Sequence, residues 1–363
     1  MQKKLKYLFE NIKYPLLAIV LAFLIGSIFV ILTENSPIVA YSALIEGSLG
    51  NIPKLGETLL KTTPLILTGL SVAFAFRAGL FNIGGEGQYL AGAISTVTAA
   101  WVLQDLPGFI LVPIILLAGA LGGALWGSVP GVLKAKLGVH EVIVTIMLNY
   151  IALAMTNFLV RTALNPSTLT GSEQKAYTVL IPEHARLLKF NTFMPVFGYS
   201  FLHVGLLIAI ACAIGIWFLL FKTSVGYEIR SVGHNPYASE YGGISISRNI
   251  ILSMMISGAL AGIAGATTVA GLTYKVDQAS GLPGYGFNGI AVALVGKNHP
   301  LGVLASAFLF GVMSNGARKM QFEGIPKEVV GIIQGIIIIF IAGEAMLKFM
   351  TTRKKKADKK EVA

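Results

Sequence analysis

The sequence predicts an all-α, polytopic membrane protein. Only 12% of its 363 residues are charged, against about 25% in soluble domains. Mean hydropathy is +0.74. Ten apolar runs of roughly spanning length follow one another along the chain, and about 20 apolar residues suffice to cross a bilayer.

Residues 1–13 form a basic tail with Lys3, Lys4, Lys6 and Lys13, followed by the first apolar run at 14–32. A basic start before an apolar run looks like a signal peptide. The run is long enough to span, however, and no small-x-small cleavage site follows, so it reads as an uncleaved first helix. Further runs lie at 58–76, 88–104, 109–130, 141–163, 202–222, 250–272, 286–297, 300–316 and 328–349, and a second basic tail occupies 350–363. The run at 286–297 is too short to cross alone. It reads as a half-helix or a re-entrant segment, tolerated only where protein or a water-filled cavity covers its ends. Residues 14–349 are thus expected to form one transmembrane domain, with an inner loop near 223–249 and an outer loop near 164–201. If both tails are cytoplasmic, 18 of the 28 Lys and Arg residues fall on inner segments, the bias the positive-inside rule demands.

Phe81-Asn82-Ile83-Gly84, before the third run, is echoed by Phe287-Asn288-Gly289-Ile290 at the eighth. An offset of five helices is odd, so two copies would run in opposite directions. The pattern predicts an inverted repeat of helices 2–5 on helices 7–10 with a path at their interface; coincidence is the alternative.

Several functions are disfavoured by residue type. Cys212 has no partner for a disulfide, and the only Asn-x-Ser/Thr candidate, at Asn165, is spoiled by Pro166. The net charge of +11 sits largely in the two tails, which fits a membrane protein's inner face better than nucleic-acid binding. Gly296-Lys297 suggests a phosphate loop, yet Ala291 stands where its first glycine belongs and Asn298 where Ser or Thr belongs. His203, His234 and His299 have no metal-ligand spacing. Almost no charged residue lies inside a run, which disfavours a proton relay, although sodium coupling through backbone carbonyls stays open. Glu344 and Lys348 are spaced as a helix-face pair.

Three polar segments remain. In Arg77 to Gln88, three glycines at 84, 85 and 87 can break a helix and bring Asn82, Glu86 and Gln88 to freed backbone. The segment either lines a pathway or is a glycine-rich turn with Glu86 in water or paired to Arg77. The second segment is 281–297, with Phe287 and Asn288. The third is 224–244, where Asn235 can cap a short helix opened by Pro236, running to Tyr241 and stopped by a left-handed Gly242. The uncharged polar residues Asn149, Asn157, Ser253, Ser257, Ser306, Ser314 and Gln334, and the small-residue steps Gly119-Gly123-Gly127 and Ser257-Ala261-Gly265, read mainly as contacts between helices.

Phe81 to Gln88, Gly233-His234-Asn235-Pro236 with its flanks, and Gly286 to Leu294 together resemble permease subunits of ABC-type importers. The group is the one for branched-chain amino acids, simple sugars and nucleosides, and the likeness runs from about residue 15 to 349. Asn82-Ile83-Gly84-x-Glu86-Gly87-Gln88 is most similar to the nucleoside (basic-membrane-protein) branch. Ser239-Glu240 departs from the small alanines commoner there. The resemblance implies a non-enzymatic subunit of an ATP-driven importer in a bacterial-type plasma membrane, working by alternating access. It implies three partners: an ATPase carrying ATP and Mg, a second related permease, and an extracytoplasmic substrate-binding protein. Coupling to the ATPase would fall to Gly233, Asn235, Pro236, Tyr237, Ala238 and Tyr241. The substrate path would fall to Asn82, Glu86, Gln88, Phe287 and Asn288, with no metal and no catalytic residue on this chain. The solute is expected to be a nucleoside; a simple sugar, a branched-chain amino acid, or an ion-coupled secondary transporter is the alternative.

Overall fold

The computed structural model describes residues 2–171, 173, 175–341 and 343. It is all helical, and among the described residues there is no strand beyond two isolated β-bridges. The helices are α1 (Gln2–Leu32), α2 (Pro37–Leu49), α3 (Ile52–Arg77), α4 (Gly85–Val102), α5 (Gly108–Leu137), α6 (Glu141–Arg161), α7 (Pro166–Thr170), α8 (Phe190–Phe193), α9 (Gly205–Lys222), α10 (Ser224–His234), α11 (Pro236–Tyr241), α12 (Ile246–Thr268), α13 (Tyr285–Val295), α14 (Pro300–Phe322) and α15 (Glu328–Ile341).

A helix occupies each of the ten apolar runs, but among the described residues six are long and apolar enough to cross a membrane: α3, α5, α6, α9, α12 and α14. Counting Leu17–Leu32 and α2, which meet at 114°, as one bent span raises this to seven. α4 falls short in hydropathy, because Glu86 and Gln88 sit in its first turn, and α13 in length. α2 and α10 were not expected from the apolar runs. α1 starts at Gln2, so the basic N-terminal residues continue the first helix. The Glu344–Lys348 pair and the C-terminal basic tail lie outside the described residues.

The chain divides into two compact units. In the unit made of residues 1–50 and 312–363, α1 and α2 meet through Tyr41, whose hydroxyl donates to the Phe23 carbonyl (2.5 Å). Gly26 lies against Ile333, and Asn315 Nδ2 donates to the Gly47 carbonyl (3.3 Å).

The unit made of residues 51–311 is built around α12, which packs against α3, α4 and α5. Glycine makes that packing possible. A Cβ on Gly123 would strike the Gly258 carbonyl, one on Gly258 would strike the Gly123 carbonyl, and one on Gly92 would strike Gly262. Backbones at such range exchange dispersion contacts that no larger side chain permits, the main source of helix association where lipid is as apolar as the side chains. The Gly119-Gly123-Gly127 step therefore does the packing expected of it. The apolar window of α3 is 83% buried and that of α5 only 28%, so α3 is central and α5 turns an apolar flank outward.

The loops gather at two ends of this unit. At one, Arg77 Nε donates to the Asn298 carbonyl (2.8 Å), Ser247 Oγ donates to the Ala135 carbonyl (3.4 Å), and Gly79 lies against Gly233. At the other, Phe201 N donates to Glu57 Oε1 (2.8 Å), Ile181 N to the Tyr274 carbonyl (2.8 Å), and Arg186 stacks over Tyr274 (4.5 Å). α12 ends in a π-turn, Val269–Thr273, closed by Tyr274 at φ 58°, a local widening of the kind common near functional segments.

Candidate functional site: two helix N-termini sharing one carboxylate

Beyond α3 the chain turns at Gly79, whose φ of +74° suits glycine. It then runs back without regular structure from Leu80 to Gly84 before α4 begins. Non-helical backbone here needs partners, because a bare amide in an apolar interior costs several kcal/mol. Side chains supply them. Asn149 Nδ2 donates to the Ile83 carbonyl (3.0 Å) and Asn149 Oδ1 accepts from Gly87 N (2.8 Å). Asn82 Oδ1 accepts from Gly84 N (2.9 Å), and its Nδ2 donates to Gln88 Oε1 (2.9 Å) and Ser257 Oγ (2.8 Å). Ser257 Oγ in turn donates to the Ser71 carbonyl (2.7 Å). Asn82, Gln88, Asn149, Ser71 and Ser257 are all buried. The network ties the irregular stretch to α3, α6 and α12.

Gly85, the first residue of α4, then meets Gly286 in the first turn of α13. The two helices thus bring their N-termini together, and each N-terminus carries roughly half a positive charge. Glu86 lies between them, fully buried. Its Oε2 accepts from Gly284 N (3.0 Å) and its Oε1 from Phe287 N (3.0 Å). One carboxylate therefore fills orphan donors of α13 while sitting in the first turn of α4. Glu86 is neither in water nor paired to Arg77, whose guanidinium is held by Asn298. Gly286, which precedes the echoed segment 287–290, lies against Gly85 and Glu86, which follow the echoed segment 81–84. α13 has 11 residues, about 16 Å at 1.5 Å per residue, roughly half a hydrocarbon core.

Of the five residues expected on the path, Asn82, Glu86 and Gln88 are thus buried with their polar groups engaged by protein. Phe287 is 45% exposed and Asn288 is half-buried. Behind them Tyr285 packs on Tyr89, ring centres 5.2 Å apart.

The 224–244 segment is two capped helices. Thr223 Oγ1 accepts from Gly226 N (3.1 Å) to start α10, which buries Gly226, Ile229 and Val232 on one face. Asn235 Oδ1 accepts from Ala238 N (3.1 Å) to start α11, as its spacing predicted. The left-handed stop is at Gly243 (φ +80°), not Gly242 (φ −79°), because Gly242 still donates to the Ala238 carbonyl and extends the turn. Tyr237 and Tyr241 are 83% and 99% exposed, and Asn235, Pro236 and Ala238 are exposed with them. Gly233 instead faces inward, where a Cβ would strike the Arg77 carbonyl at the end of α3. Glu228 Oε2 accepts from Asn249 Nδ2 (3.2 Å), tying α10 to α12. The helical spacing of Val225, Ile229 and Val232 was the signal that could have identified α10.

The histidines lie apart. His203 Nδ1 accepts from Gly205 N (3.1 Å) and so caps α9. Burial, and then the nearby Lys189 charge, push His203 down to about 4. His299 stacks on Phe221 (5.4 Å), and burial with the Arg77 charge holds it below the ordinary histidine value. Among the described residues no three metal-ligating side chains cluster.

Residues 55–342 match the family described as the permease component of branched-chain amino acid transport systems. Guanosine ABC transporter permease protein NupP of Bacillus subtilis (strain 168) is 44% identical over 351 residues, covering 96% of this chain and 97% of the relative. Nucleoside ABC transporter permease protein NupB of Lactococcus lactis subsp. cremoris (strain MG1363) is 41% identical over 349 residues, covering 95% and 94%. Guanosine ABC transporter permease protein NupQ, also of Bacillus subtilis, is 32% identical over 277 residues, covering 74% and 84%. By the match over residues 55–342 and these relatives, the chain belongs to the permease-component family of branched-chain amino acid transport systems.

Proposed function

We propose that this chain is the translocation subunit of an ATP-driven nucleoside importer, pairing with a second, related permease, an ATPase that holds ATP and Mg, and an extracytoplasmic binding protein. The observation that carries the coupling role is α11, a rigidly capped helix whose tyrosines are bare. Such a feature fits insertion into a cleft of a partner. Asn235, Pro236, Tyr237, Ala238 and Tyr241 make that contact. Gly233, wedged on the end of α3, passes movement into the helix bundle. Nucleosides are favoured as solute by two relatives above 40% identity, named for guanosine and for nucleosides. A second permease is favoured by the two Bacillus subtilis chains that share one guanosine name.

Both tails are cytoplasmic in this reading, ten helices cross or enter the membrane, and helices 2–5 and 7–10 are inverted repeats. The gathering of Arg77, Ala135, Gly233, Ser247 and Asn298 at one end supports the orientation, since the lysine and arginine bias assigns all of these segments to the inner side. The solute passes along the exposed face of α13, with Phe287 offering a ring for stacking and Asn288 an amide for hydrogen bonding. Asn82, Glu86 and Gln88 hold that face in position from behind.

The test is uptake of labelled guanosine by cells or proteoliposomes carrying the whole assembly, with ATP hydrolysis read in parallel. Ala238→Arg is expected to leave the permease folded while hydrolysis no longer drives uptake. Uptake driven by an ion gradient without ATP, or competition by glucose or leucine but not by nucleosides, would sink the reading.

A further inference from the structure

At the end of α3 a cavity of about 240 Å³ opens between α10 and the turn joining α13 to α14. Among the described residues it is lined by Phe76, Arg77, Arg230, Gly233, His234, Lys297 and Asn298 and by no acidic residue. Arg77 and Arg230 both lie over the ring of Phe221, their guanidinium carbons 5.7 and 5.2 Å from its centre. Each is steered by its inner nitrogen: Arg77 Nε donates to the Asn298 carbonyl (2.8 Å) and Arg230 Nε to the Gly226 carbonyl (3.3 Å). Among the described residues neither has a carboxylate in ion-pair range, and their terminal nitrogens make no hydrogen bond. Lys297 and Asn298 adopt left-handed backbone at φ 53° and 51°. Non-glycine residues held there are strained by about 1–3 kcal/mol, strain that clusters at binding sites.

We infer that this cavity binds a phosphate-bearing anion. Two guanidinium groups held beside one ring repel each other. Water screens that repulsion incompletely in a half-buried pocket. Planar forks fixed by Nε, with both outer N–H pairs left over, fit the tetrahedral oxygens of a phosphate better than a point charge would. The volume is below the roughly 300–1,000 Å³ of ordinary ligand pockets. It has room for a phosphate group, and none of its lining residues is among those assigned above to the path of the transported solute. The site is independent of the identity of that solute. The phosphate comes either from a lipid headgroup or from a soluble phosphate, and the chemistry of the pocket is shared by both.

The experiment measures the thermal unfolding midpoint of the purified full-length permease in two settings. In detergent, inorganic phosphate is titrated against chloride at fixed ionic strength. In nanodiscs, phosphatidylglycerol is compared with phosphatidylcholine. Stabilisation that saturates with phosphate supports a soluble source, and stabilisation by phosphatidylglycerol alone supports a headgroup. In either case Arg230→Gln is expected to weaken the effect about tenfold or more, the loss of one charge-assisted bond. Arg248→Gln, at an exposed arginine on the same end, leaves it intact. Arg77→Lys keeps the charge but loses the fork, and is expected to weaken the response in a folded protein. The inference is overturned if neither anion stabilises the wild type or if Arg230→Gln and Arg248→Gln respond alike. It is equally overturned if the pocket proves to be filled by a carboxylate of the ATPase.

Discussion

Replacing Glu86 by glutamine changes one oxygen to nitrogen at the meeting point of α4 and α13. Two opposing effects are set against each other. Burying a carboxylate costs several kcal/mol, and glutamine relieves that cost. Against it stand two backbone bonds to the charged group, from Gly284 N and Phe287 N, contributing about 1.5–3 kcal/mol each. The favourable field of two helix N-termini adds about 0.3–2 kcal/mol each. Glutamine keeps one acceptor, but turns an NH2 toward a backbone N–H. The net loss is about 2–4 kcal/mol, since the lost bond and the lost field outweigh the desolvation recovered from a group already enclosed by donors. The assay is the apparent unfolding midpoint of the full-length permease in mild detergent, with uptake measured beside it. A fall on the order of 5 °C is expected, together with loss of uptake. Glu86→Asp is one methylene shorter, cannot reach both amides, and should also fail. Glu57→Gln, which touches a single amide at a half-exposed site, should lower the midpoint much less. An unchanged or raised midpoint for Glu86→Gln would refute this balance, because relief of desolvation would then exceed the loss of the bond and the helix field together.

Gly123→Ala should lower the midpoint strongly and depress yield, since its Cβ meets the Gly258 carbonyl and overpacking costs about 1–3 kcal/mol or more; Gly215→Ala, with open space around it, should be neutral or stabilising in the same melt. Asn288→Ala should reduce nucleoside uptake with the midpoint preserved, whereas Asn82→Ala should lower the midpoint itself, because it unties Gly84, Gln88 and Ser257; the reverse pattern would exchange their roles. Asn235→Ala removes the α11 cap, for about 1 kcal/mol of local helix stability, and should impair uptake and stimulated hydrolysis while global unfolding barely moves. Neutral His203 accepts the α9 cap bond and its folded value is depressed from 6.5 to about 4. Its contribution is therefore full above pH 6.5 and is lost as pH falls toward 4, on the order of 3 kcal/mol in all. His203→Gln should flatten that part of a midpoint-against-pH curve.

The membrane class, the positions of most long helices and the α11 cap were legible because each depends on local signals: apolar run length, and an Asn-Pro pair at a helix start. The span count was less legible, since α4 hides Glu86 and Gln88 among apolar residues, and these satisfy protein groups that only the folded chain places nearby. The head-to-head contact of Gly85 with Gly286 joins residues some 200 positions apart, and no periodicity reports such a distance. The segments Phe81-Asn82 and Phe287-Asn288 were visible as an echo, but the contact between their neighbours Gly85 and Gly286 was not. α2 was missed because its 13 residues, though largely apolar, are too few to span and follow α1 across a 114° bend, and the stop of α11 was misplaced by one glycine because Gly242 and Gly243 look alike in sequence.

Glu86 also constrains how the chain can be made. α4 leaves the ribosome nearly 200 residues before α13, so during that interval its carboxylate lacks the two amides it later accepts from. α13, at 11 residues, is too short to be recognised as a span by an insertion machinery that reads hydropathy over about 19. The carboxylate already waiting there gives it an anchor at the correct depth. Synthesis halted before residue 284 would thus leave a half-built bundle with an unmet buried charge, a natural mark for quality-control proteolysis.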